Sequence, residues 1–160
     1  MPADYDAIDF PTVDPDEREQ LLRWLRFLRG AVIRNLDGVS DEDARWTPDG
    51  KLISLLGVIN HLTNVEWRWI EGHMLGRPVS KSQDEYRPGP ELTVDAAVAA
   101  YRARAGVTDT AVRSMPLSEP SRGRDGYDLR WIVLHLIHET ARHAGHADAT
   151  REMLDGTTGE

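Results

Sequence analysis

Four long segments carry apolar residues at helical spacing, and no stretch alternates as a half-buried strand does. The first follows "DPDEREQLLRWLRFLRGAVIRNLDG", where Leu21, Leu22, Trp24, Leu25, Leu28, Val32 and Ile33 share a face. Asp14 is its expected N-cap, with Pro15 at the first helical position, and Gly38 is a stop. The second, "SLLGVINHLTNVEWRWIEGHMLG", runs from Ser54 to Gly76. The third starts at Thr93, and the fourth, "LRWIVLHLIHETARHAGHADATREMLDG", ends near Gly156. Four amphipathic helices imply an all-α four-helix bundle, read as a single domain over residues 1–160, with residues 1–13 as an irregular arm. The inter-helix loops of about ten to fifteen residues exceed what hairpins need, so some connections are expected to cross the bundle.

The bulk chemistry narrows the function. With 160 residues the chain can bury a real core. A net charge of -8 argues against nucleic acid and anionic membrane as partners. No apolar run spans a bilayer, and the acidic N-terminus lacks signal-peptide character, so the expected location is cytoplasmic. The absence of cysteine removes disulfides and any protein thiolate. Any metal must therefore be held by His, Asp or Glu, and any thiol nucleophile must come from a small molecule.

The fourth segment holds "HLIHETARHAGH". At about 100° per residue, Ile132, Leu136, His143 and Ala147 point one way, with Glu139 about 40° from His143. His146 and His135 lie on the same side, and His138 points away. The pair "HE" does not make a zincin, because His138 and His143 are separated by about 140°. Glu139 and His143, at i and i+4 inside an apolar stripe, leave two readings open. They satisfy each other, or they coordinate a metal with a third ligand. His61 on the second helix, on the flank of its apolar arc, is the candidate third ligand. Three N/O ligands with open positions suit a catalytic divalent ion.

At these residues the sequence resembles the DinB-like superfamily of metal-binding four-helix bundles. Within that superfamily it is most similar to the actinobacterial mini-circle protein group, neighbours of the mycothiol-dependent enzymes. The resemblance covers nearly the whole chain and is clearest in the second segment, the fourth segment and the tail "DGTTGE". It implies a metal at one end of the bundle, held by a His on helix two and an E-x-x-x-H or H-x-x-x-H pair on helix four. Those positions are His61, Glu139 and His143 here, with Glu in the first slot. His146 follows the pair as a cleft residue or alternative ligand. The resemblance further implies Zn²⁺, or Ni²⁺, and a low-molecular-weight thiol transferred to a small electrophile. A homodimer is plausible for such a family. The rival reading is a non-catalytic binding or stress-response module on the same bundle, with or without metal.

Other residues carry expectations of their own. Trp46 is read as a packing residue with the cleft rim as its alternative place, and His135 as a residue behind the ligands or simply of the core. His73 is expected to lie away from the metal, and the small basic loop "RGRDG" at 122–126 is read as a solvated turn in preference to a contact for an anionic substrate. The remaining tryptophans are expected to pack between helices.

Overall fold

The computed structural model describes residue 5 and residues 9–159. Four α-helices dominate: α1 (Glu17–Arg34), α2 (Leu55–Trp67), α3 (Val94–Ser114) and α4 (Leu129–Asp155). Among the described residues there is no strand, only one isolated bridge between Pro120 and Asp128. Among the described residues no helix is long and apolar enough to cross a membrane. Of the expected arm, residues 5 and 9–13 are described and form no regular element, while residues 1–4 and 6–8 lie outside the described residues.

The helix boundaries follow local capping chemistry. Ser54, Thr93 and Asp128 cap α2, α3 and α4, each side chain accepting a first-turn amide. Gly156 closes α4 at φ 79, the left-handed conformation that glycine adopts without a Cβ penalty. The start of α1 differs from expectation. Asp16, not Asp14, is the cap, and Pro15 lies outside the helix. Asp14 is occupied elsewhere: its carboxylate accepts from the Asp16 amide at 2.9 Å and pairs with Arg23 at 2.5 Å. The second segment also differs, because α2 widens into a π-helical stretch, Arg68–Met74, before it ends.

α1 packs chiefly on α4, and α2 lies against both α3 and α4. The sequence neighbours α1 and α2 make only slight contact, so the long connection between them crosses the bundle. The apolar core divides into two clusters. One contains Leu36, Leu55, Ile59, Leu62, Tyr101 and Ala147; the other contains Leu22, Leu25, Val65, Ile70, Ile132 and Leu136. A polar layer separates them along the helices. In it the fully buried Arg29 guanidinium donates to Glu66 at 2.7 and 2.8 Å and to Asp109 at 2.8 Å. Those contacts keep Arg29 protonated against the cost of burial. On α4, Glu139, Thr140 and His143 fall between the two clusters, so the candidate site lies at mid-bundle. The resemblance implied a site at one end. Polar residues on α1, α2, α3 and α4 interrupt the apolar stripes at one level, and that is where the site forms.

Candidate metal centre

His61 is held from behind. Glu85 on the 3-10 turn Gln83–Tyr86 accepts from its Nδ1 at 2.7 Å, and both residues are buried. Arg68 clamps the same carboxylate with two contacts of 2.5 and 2.9 Å. Burial pushes the Glu85 carboxyl up, but Arg68 and His61 hold it below the usual carboxylate range. The contact with an ionised Glu85 puts a proton on His61 Nδ1 and turns Nε2 towards the centre as the nitrogen that can meet a metal. The Tyr86 ring stacks on the imidazole at 4.6 Å. This close approach depends on Gly57, one turn before His61, because a Cβ there would strike the Tyr86 carbonyl oxygen.

His61 Nε2 points at Glu139 Oε1, 3.4 Å away, and His143 Nε2 approaches the same oxygen at 3.3 Å. The three ligand atoms all lie within 4.8 Å of one another. The Glu139 carboxyl, raised by burial, is brought below its ordinary value by His61, His143 and His135. The His143 imidazole is pushed below 6.5 by burial and by His61. Both contacts are long for hydrogen bonds. Ligands about 2.0–2.1 Å from a tetrahedral ion stand about 3.3–3.4 Å apart. The two separations on Glu139 Oε1 match that edge. His143 Nδ1 is buried without a hydrogen-bond partner, consistent with Nε2 being the working nitrogen. Two imidazoles and one carboxylate thus fit a divalent ion with positions left open.

A cavity of about 410 Å³ opens onto His61 and Glu139. Val65, Arg68, Trp69, His73, Val79, Ser80 and Lys81 line the rest. The π-helical stretch supplies Trp69 and His73, whose rings lie 4.4 Å apart. Such stretches recur at functional sites because they turn side chains out of α-helical register. The loop after it closes over the cavity, with Val79 seated in the space left by the missing side chain of Gly72.

The other expected residues are distributed around this centre. His135 lies beside the aromatic wall, 4.2 Å from Trp69 and stacked parallel on Trp131 at 5.4 Å. His146 is exposed, its ring 5.5 Å from His143, and lies outside the close three-residue group. His138 is exposed. Trp46 is 37% exposed after the turn Asp43–Arg45 and is not among the cavity's lining residues. One expectation is corrected. His73 does not lie away from the site but lines the same cavity, because the wider π turn re-aims it. The 122–126 loop is exposed throughout, as expected of a solvated turn, and its Arg124 guanidinium lies over the rings of Trp69 and Tyr127 at 5.9 and 5.0 Å. Sequence reasoning missed Glu85 and Arg68 altogether. Glu85 lies in a short turn with no periodicity to mark it, and its role emerges only when that turn docks on α2.

Residues 20–156 match the family model described as mycothiol-S-transferase. No curated protein matches the chain.

Proposed function

Because the chain belongs to the mycothiol S-transferase family, within the DinB-like superfamily, we propose that it joins a mycothiol-type thiol to a small electrophile at a divalent metal held by His61, Glu139 and His143. The observation that carries the reading is the pair of 3.3 and 3.4 Å contacts on Glu139 Oε1, long for hydrogen bonds and matched to the edge of a tetrahedral metal site. When bound, a zinc-like ion supplies Lewis acidity, which lowers the pKa of a thiol sulfur and favours the thiolate. The protein's own groups do the rest. Glu85 keeps the Nδ1 proton on His61 and orients the ring. Arg68 keeps Glu85 ionised. Trp69, Val65 and Val79 shield the reacting end from water. In the transfer a sulfur–carbon bond forms, the leaving group departs with its electron pair, and the thiol proton is released. A chain without cysteine suits this chemistry, since the nucleophile is brought in.

The test is to purify the chain without a histidine tag, strip it with a chelator and reload it with Zn²⁺ or Ni²⁺. Consumption of mycothiol with an electrophile is then followed in both states. Transfer that requires the metal and is lost in His143→Ala supports the reading. Bound metal with no transfer favours the non-catalytic module, and no binding of either ion overturns the metal centre.

A further inference from the structure

The protein is acidic overall, yet Arg68 and Lys81 line the cavity and Arg124 lies over the Trp69 ring that borders it. Lys81 lines it and makes no ion pair among the described residues. Arg124 contacts the faces of Trp69 and Tyr127 and likewise has no carboxylate partner among them. Arg68 is already committed to Glu85, and Glu139 belongs to the metal centre. Beside these cations stands a continuous aromatic surface. Trp69 contacts His73, His135 and Trp131, and Tyr127 packs on Trp131 at 4.0 Å. Trp131 keeps 40% of its surface exposed. A flat ring against Trp69 would lie in the cavity that opens onto His61 and Glu139.

We propose that this wall is the acceptor subsite, and that it selects flat, conjugated electrophiles bearing a singly anionic group of the carboxylate class. Trp69 and His73 supply the stacking surface, while Lys81, with Arg124 at the edge, receives the anion. The reaction consistent with this geometry is aromatic substitution. A carbon–sulfur bond forms at the activated ring carbon, the carbon–halogen bond breaks, halide leaves with the electron pair, and the thiol proton goes to solvent. The proposal deepens the transferase reading and rests on it for its chemistry, but ligand binding tests it separately.

Two unreactive probes, 3,5-dinitrobenzoate and its neutral benzamide, are titrated into metal-loaded protein by calorimetry. The reactive pair, 4-chloro-3,5-dinitrobenzoate and its benzamide, is assayed with mycothiol. The benzoate is expected to bind about three- to tenfold more tightly than the benzamide, with an advantage that shrinks at high salt. Lys81→Ala brings that ratio towards one, and Lys81→Arg retains it. Trp69→Leu weakens both probes. In the reactive pair the preference appears in KM. Equal binding of the two probes, or an unchanged ratio in Lys81→Ala, overturns the subsite. If the benzoate preference is present but neither reactive probe is turned over, the subsite stands and the transferase reading falls.

Discussion

Replacing Glu85 by Gln isolates the charge behind His61. The amide oxygen can still accept from Nδ1, so the shape of the contact survives. The carboxylate charge does not, and Arg68 loses its bidentate partner. The 2.7 Å contact joins two buried groups, where a charge-assisted hydrogen bond contributes about 1.5–3 kcal/mol. If roughly that amount supports the ligand geometry, metal affinity falls about 10- to 100-fold, the range typical for the outer partner of a ligating histidine. Competition against a chromophoric chelator measures it, with thermal unfolding of the metal-free protein as a check on folding. The comparison is His143→Ala, which removes a ligand outright and should lose more. A Glu85→Gln protein that folds normally and binds Zn²⁺ like the parent would falsify the account of His61. The same result in His143→Ala would refute the site itself.

Three further outcomes follow from the packing. Gly57→Ala should push the Gln83–Tyr86 turn off α2, because the new Cβ meets the Tyr86 carbonyl, and so weaken metal binding in the same direction as Glu85→Gln; the chelator competition reads this. Glu66→Ala leaves buried Arg29 with Asp109 as its main partner and should cost about 3–5 kcal/mol of stability in urea unfolding; a loss below about 1 kcal/mol would mean that water or Asp109 compensates. Metal-free protein should lose stability on acidification. The folded His143 titrates below its ordinary 6.5, so the unfolded chain takes up protons first as pH falls below about that value. The depressed Glu139 and Glu85 carboxyls act in the same direction at lower pH, through the carboxylate range. Denaturant midpoints measured from pH 7 to pH 4 should therefore fall, and a flat or rising profile contradicts the assignment.

The sequence by itself determined the elements and the faces of the candidate ligands. Capping residues such as Ser54 and Thr93, and apolar spacing of about 3.6, are local signals, so four helices were legible before any packing was known. The i, i+4 relation of Glu139 and His143 is fixed within one helix, and His61 could be proposed as their partner across the bundle. Tertiary structure decided what depends on contacts distant in sequence. It set the site at mid-bundle, between two apolar clusters that only four helices together define. It brought Glu85 onto His61 from a turn 24 residues away. It opened α2 into the π-helical stretch that turns Trp69 and His73 into the cavity, and it laid Arg124 over Trp69. Periodicity records which face of a helix is buried. It does not record which charged group from another element will meet that face, and the proton on His61 is fixed by that meeting.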